Sequence, residues 1–385
     1  MLELALKGDK KYWGWIVALL GIIGAGFAVY MWQLRVGLQI TGMSRDVSWG
    51  FYIANFTFLV GVAAGGVMVV LPYYLHNYKA FGKVTILGEF LAIASVAMCI
   101  LFVLVDLGQP MRVFNMFLHP TPNSVLFWDT VVLSGYFLLN VVIGWNVLEA
   151  ERNAVPPPKW VKPLIYVSIP WAISIHTVTA YLYCGLPGRG FWLTAILAPR
   201  FLSSAFAAGP ALLILICMVI RKVTKFDPGK EQIQSLAKIV AYAISVNVFF
   251  FLCEVFVAFY SNIPEHMDHL KYLFVGLHGH GAYVPWMWVS MILMIIGIIL
   301  LVNPVTRKNE GILVAACAVV FAGTWIDKGL GMISGGFVPN PLHHIHEYIP
   351  TIPEISIAVG VYGIGALIVT ALYKIAVSIK LEVSA

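Results

Sequence analysis

The chain has 385 residues, of which 60% are hydrophobic and 11% charged, with a formal net charge of +6. That balance is too apolar for an ordinary soluble domain and describes an integral membrane protein. The positive charge follows the loops that connect membrane spans, so it requires no nucleic-acid partner.

Apolar segments long enough to cross a bilayer as helices lie near 13–32, 49–72, 84–105, 125–147, 164–183, 201–220, 237–259, 283–302, 311–332 and 355–375. The expected fold is an all-α integral membrane protein of about ten transmembrane helices, two four-helix bundles plus flanking helices, forming a single polytopic domain over 1–385. Helices 1 to 4 occupy about 13–147, a charged and proline-containing cytoplasmic linker about 149–162, and helices 5 to 10 about 164–375. The first segment is too long, and too aromatic at its end, for a cleaved signal peptide. An even helix count puts both termini on one side. That side and its loops carry 17 of the 24 lysines and arginines, so both termini are expected in the cytoplasm and the odd-numbered loops outside.

Helix 1 ends in Tyr30-Met31-Trp32-Gln33-Leu34-Arg35, an aromatic belt followed by polar groups. Helix 2 carries Asn55 and a small-residue face of Gly61, Ala64, Gly65 and Gly66, which lets another membrane helix approach closely. Helix 3 begins near Glu89 at the inner side and ends outside at Asp106-Leu-Gly-Gln-Pro110, followed by Arg112. Helix 4 re-enters with Asp129 about one turn inside, and with Tyr136 and Asn140 deeper. His176 on helix 5 is the only histidine well inside a span. The loop Gly185-Leu-Pro-Gly-Arg-Gly190 lacks the spacing of a phosphate-binding loop and reads as a tight turn. Helix 6 repeats the small-residue theme in Ala205-Phe-Ala-Ala-Gly-Pro210, and helix 7 carries Asn247 and Glu254. This echo suggests a parallel repeat in which helices 2 to 5 correspond to helices 6 to 9 and Asp106 to Glu254.

The outer loops contain His266, His269, His278 and His280 in one, and His343-His344-Ile-His346-Glu347 in the other. Converging imidazoles can bind metal, but the accompanying prolines, glycines and aromatics read as docking surface or lids, and no metal ligand is assigned. The five cysteines, Cys99, Cys184, Cys217, Cys253 and Cys317, form no Cys-x-x-Cys pair, so neither an iron–sulfur cluster nor a c-type haem fits the spacing. A haem b needs two imidazoles at one depth, and His176 is alone.

Ionisable side chains inside a membrane are costly and mark function unless a partner explains them. Helix direction places Asp106, Asp129, His176, Glu254 and Asp327 in the outer half, with Arg112, Arg189, Arg200 and Lys328 at the rim. Two readings follow. The groups are structural ion pairs at helix ends, or they form an outward pocket that handles protons together with a hydrophobic ligand such as a quinone. A proton or ion transporter, or a passive membrane anchor for periplasmic redox subunits, is the alternative from another class.

Several runs in series resemble one family. They are Trp49-Gly-Phe-Tyr-Ile-Ala-Asn55 with Gly61-Val-Ala-Ala-Gly-Gly66, Asp106-Leu-Gly-Gln-Pro110 with Arg112, Ser134-Gly-Tyr-Phe-Leu-Leu-Asn140, Ile169-Pro-Trp-Ala-Ile-Ser-Ile-His176, Gly185-Leu-Pro-Gly-Arg-Gly190 and Ala198-Pro-Arg-Phe201. The pattern is similar to that of the NrfD/PsrC-like polytopic membrane subunits, and within them to the membrane subunit of the sulfite-reduction-associated Dsr complex. The resemblance implies a menaquinone or menaquinol site near the outer end of the first bundle and a quinone-linked redox complex in the cytoplasmic (inner) membrane, with its redox face outward. It also implies a periplasmic-side ferredoxin-like iron–sulfur subunit, a multihaem cytochrome c, and further membrane and cytoplasmic subunits. The residues it implicates are Gln33, Asn55, Arg112 and Tyr136 around the quinone head, with Asp106, Asp129, His176 and Glu254 as proton-handling groups. Some family members have a histidine from helix 1 near the quinone where this chain has Gln33.

Overall fold

The computed structural model describes residues 1–75 and 79–384. Among the described residues, ten helices are long and apolar enough to span a membrane: α1 Lys10–Val36, α2 Phe51–Leu75, α3 Thr85–Asp106, α4 Val125–Arg152, α5 Val161–Cys184, α6 Leu197–Val223, α7 Lys230–Tyr260, α8 Val284–Val302, α9 Glu310–Phe337 and α10 Ile352–Val383. Every expected span is present. Several run further than apolarity alone suggests, because the helical hydrogen-bond ladder continues through charged end residues such as Lys230 and Arg152.

Helix α2 is the buried axis, with every residue from Tyr52 to Gly65 shielded. In lipid, side-chain apolarity gives no net drive for helix association, so close packing through small residues takes its place. At the crossing of α2 and α6, a Cβ on Gly65 would lie 2.6 Å from the Cα of Gly209, and one on Gly209 would meet Gly65 equally closely. The Ala-Ala-Gly echo between the two helices is therefore a point of direct backbone contact. Around it, α2 packs on α3, α3 on α4 and α4 on α5, and the same succession recurs from α6 to α9. Helices α1 and α10 pair with each other and flank the first bundle, α10 lying against α3.

All even-numbered helices begin at one end, which also carries the long connections. There the segment expected to be an irregular loop forms a short helix, Pro264–Phe274. Its His269 is buried rather than displayed as docking surface, and Nδ1 donates to the Val338 carbonyl at 2.8 Å. The other connections interlock. Glu347 accepts from the Ala282 amide at 3.0 Å and lies 3.4 Å from His280. Asp46 accepts from Asn340 at 3.1 Å and lies 3.5 Å from His346. The histidine-rich loops thus tie the end of the molecule together. Among the described residues, no group of three or more His, Cys, Asp or Glu side chains is placed to hold a metal ion.

Candidate functional site

Two groups of polar residues lie toward the loop-rich end. The first is built on α1, α2, α3 and α10. Gln33 is buried, donates from Nε2 to the Val105 carbonyl at 2.6 Å and accepts at Oε1 from the Tyr52 hydroxyl at 2.7 Å. Asp106, the last residue of α3, has its Oδ1 buried with no hydrogen-bond partner. It directly follows Val105, whose carbonyl takes the Gln33 bond. Glu354, at the start of α10, is fully buried and accepts from the Gly42 amide, the Thr351 amide and the Tyr348 hydroxyl, at 2.8, 2.8 and 2.7 Å. Sequence reasoning passed over Glu354, because a glutamate in the first turn of a helix reads as an ordinary dipole partner. Only the fold shows that two loops converge on it.

Asn55 sits one turn below Tyr52 and ties three helices. Its Oδ1 accepts from Trp325 Nε1 at 3.0 Å and from the Tyr362 hydroxyl at 2.7 Å, while Nδ2 donates to its own helix. With both acceptor sites filled, Asn55 positions α9 and α10 against α2. Arg112 is exposed in the connection after α3, apart from the buried groups. Tyr136 lies deeper, with its hydroxyl 3.5 Å from the Ala63 carbonyl. Glu89 is at the opposite end of α3, also with a buried and unpartnered oxygen, Oε2.

The second group runs across the seam between the bundles. On α4, Asp129 accepts from Thr179 at 2.6 Å. His176 is one turn from Thr179 on the same face of α5, and its Nε2 stands 3.3 Å from Lys328 Nζ of α9. Arg200, at the start of α6, donates through Nη2 to both oxygens of Asp327 at 2.7 and 2.9 Å, and through Nη1 to Glu254 Oε2 at 2.5 Å. One guanidinium thereby joins α6, α7 and α9 through charge-assisted hydrogen bonds. Arg200 and Lys328, expected at the rim, are buried, at 7% and 4% exposure.

A local departure from the α-helix explains how Asp327 and Lys328 both come to point inward. Residues Ile326–Gly331 form a π-helical turn within α9, a feature that shifts side-chain register and is frequent at functional sites. Opposite it, Gly61 of α2 leaves the space the lysine needs: a Cβ there would lie 3.0 Å from Lys328 Nζ and 3.5 Å from His176 Nε2. A cavity of about 10 Å³ adjoins Arg200, Asp327, Lys328 and Asn247, roughly the space of one water molecule. His176 Nδ1 and Asn247 Oδ1 are buried without partners. The order Asp129, Thr179, His176, Lys328, Asp327, Arg200, Glu254 is a run of ionisable and hydrogen-bonding groups, with ion pairs confined to its Arg200 end.

Comparison with known proteins accords with this architecture. The family model described as "Polysulphide reductase, NrfD" matches residues 39–338. A Halobacterium salinarum chain, provisionally named as a dimethyl sulfoxide reductase membrane subunit, is 27% identical, covering 93% of this chain and 89% of the relative. The Hdr-like menaquinol oxidoreductase integral membrane subunit of Archaeoglobus fulgidus is 24% identical over 82% of this chain and 79% of its own length. The menaquinone reductase integral membrane subunit of Nitratidesulfovibrio vulgaris is 20% identical over 95% and 91%. With the family model spanning α2 to α9 and the loop-rich end that joins them, the chain belongs to the NrfD family of membrane subunits.

Proposed function

We propose that this protein is the menaquinone-reactive membrane subunit of a respiratory redox complex, with the quinone head at the Asp106 end of the first bundle. The observation that carries the reading is the unpartnered buried Oδ1 of Asp106 beside the Gln33–Tyr52 pair, where α1, α2 and α3 meet. A buried polar atom without a partner is costly, and a ligand that hydrogen-bonds there removes the cost. The residues fit a quinone: one carboxyl able to give or take a proton, a phenol and an amide beside it, and apolar helix faces around them. The relatives named for menaquinol and menaquinone support the same ligand class.

A quinone supplies two-electron chemistry coupled to two protons. The chain's part is to bind and to move protons. Asp106 holds or releases a proton at Oδ1, and Gln33 orients Tyr52. Asn55 fixes the helices behind them, and Asp129, His176 and Glu254 exchange protons along the seam. Electrons pass between the quinone and an outward-facing, ferredoxin-like iron–sulfur subunit, with a multihaem cytochrome c and further membrane and cytoplasmic subunits completing a complex of sulfur- or sulfite-linked anaerobic respiration. The excess of lysine and arginine in the loops at the opposite end supports cytoplasmic termini in an inner membrane.

The test is quinone extraction from the gently purified complex. Menaquinone present in the wild type and lost in Asp106→Asn, with all partner proteins retained, is the expected result. An intact complex without quinone contradicts the reading and favours a passive anchor.

A further inference from the structure

The second bundle carries a feature at its loop-rich end that the Asp106 group does not account for. Two clefts of about 240 and 200 Å³ adjoin there and share Thr194 and Ala195. The larger is walled by Phe191, Ile196, Val257 and Leu270, and Glu254 faces into it. The smaller lies beside Tyr181 and Leu193, each more than half exposed on the outer surface of the helices, where hydrocarbon or its interface would meet them. Small-molecule sites are concave, mostly apolar, and fixed by a few polar atoms, with volumes of roughly 300–1,000 Å³. The two clefts taken together have that character and that size.

Glu254 supplies the fixed polar atom. Arg200 holds its Oε2 at 2.5 Å, and among the described residues Oε1 has no hydrogen-bond partner. An acceptor anchored through its other oxygen is pre-organised for a hydroxyl donor, since little side-chain freedom remains to be lost on binding. The helix arrangement gives a second, independent reason. Asp106 and Glu254 each lie toward the C-terminal end of the second helix of a four-helix set, at the same end of the molecule. Each bundle therefore carries one carboxyl at the corresponding place.

We propose that the Glu254 cleft is a second binding site for the aromatic head of an isoprenoid quinol, with Glu254 Oε1 accepting from a phenolic hydroxyl. The inference rests on the quinone reading of the chain. It adds that the protein binds two such heads, one per bundle, and that only the second sits directly on the Arg200–Asp327–Lys328 run.

Photolabelling with an azido-naphthoquinone tests it on the intact complex in lipid nanodiscs, with peptides mapped by mass spectrometry. The expected result is labelling in two regions, around 100–112 and across 191–198 with 253–270, both competed by menaquinone. Ala195 is exposed and lines both clefts, so Ala195→Trp fills them from outside the packed core. That variant should reduce labelling of the second region at least fivefold and leave the first unchanged, and Asp106→Asn should do the reverse. Labelling confined to 100–112 overturns the second site while leaving the quinone reading intact. Labelling of the cleft that phospholipid competes and menaquinone does not makes the occupant a lipid and also overturns it. Absence of competable labelling anywhere removes both.

Discussion

His176 Nε2 lies 3.3 Å from Lys328 Nζ, joining α5 of one bundle to α9 of the other. As an ammonium Lys328 offers only donors, so in that state Nε2 accepts and the imidazole proton sits on Nδ1, the atom that is buried without a partner. Within the run from Asp129 to Glu254, the pair is the link that crosses between the bundles. It exists because the π-helical turn aims Lys328 inward and Gly61 leaves it room.

Gly61→Ala places a methyl 3.0 Å from Lys328 Nζ, tighter than ordinary contact, and the flexible lysine end must yield. Quinone-linked turnover of the complex should fall about tenfold while its set of partner proteins on gel filtration stays constant. Lys328→Met, which removes the exchanging group, should fall further. Unchanged turnover in both variants would remove the His176–Lys328 contact from the mechanism.

Arg200 neutralises two carboxylates at once, Asp327 buried and Glu254 partly buried. Removing one partner of a buried ion pair costs about 3–5 kcal/mol, because a charge is left uncompensated. Arg200→Met should therefore lower thermal stability in detergent by that order. Adding Glu254→Gln and Asp327→Asn to it should recover a large part of the loss. A triple variant no more stable than Arg200→Met would show that the guanidinium matters for packing, such as its contact with the Phe251 ring at 5.1 Å, more than for charge.

The Tyr348 hydroxyl accepts from the Phe51 amide and donates to Glu354 Oε1, both at 2.7 Å, so it caps α2 and holds the loop over Glu354. Burial and the Glu354 carboxylate push its ionisation above the usual tyrosine range, so it remains a donor. Tyr348→Phe leaves a buried amide and a carboxylate oxygen short of a partner, at about 1–3 kcal/mol. Hydrogen exchange at residues 50–54 should speed up accordingly, with the rest of α2 unaffected.

Burial holds His269 below its ordinary value of 6.5, and it donates in its neutral form to Val338. When the short helix detaches, His269 regains the ordinary value and binds more protons than when docked. Docking stability is therefore full above about pH 6.5 and declines as the pH falls below it. Hydrogen exchange of residues 264–274 should accelerate between about pH 6.5 and 5 in the wild type. His269→Asn should flatten that dependence.

The ten spans were legible because a bilayer imposes length and apolarity on each helix separately, and the small-residue echo of Gly65 and Gly209 proved to be a contact. The inward Arg200 and Lys328 were not. Both read as rim cations because position along a helix does not reveal a π-helical turn, and because the partners of Arg200 lie 54 and 127 residues away. Glu354 escaped notice since its role depends on loops converging from residues 42 and 348. Arg112, prominent within its motif, lies exposed in a connection. Residue type indicated which groups were costly to bury, and only the packing showed which of them meet.

The proposed role of the first bundle turns on Asp106 exchanging a proton with quinone. Stopped-flow mixing of the purified complex with a menaquinol analogue, following reduction of the redox centres on its partner proteins, measures that role at the step itself. Rapid reduction is expected in the wild type and at least a hundredfold slower reduction in Asp106→Asn, with assembly and partner centres unchanged. Equal rates in the two proteins would contradict a part for Asp106 in quinone chemistry.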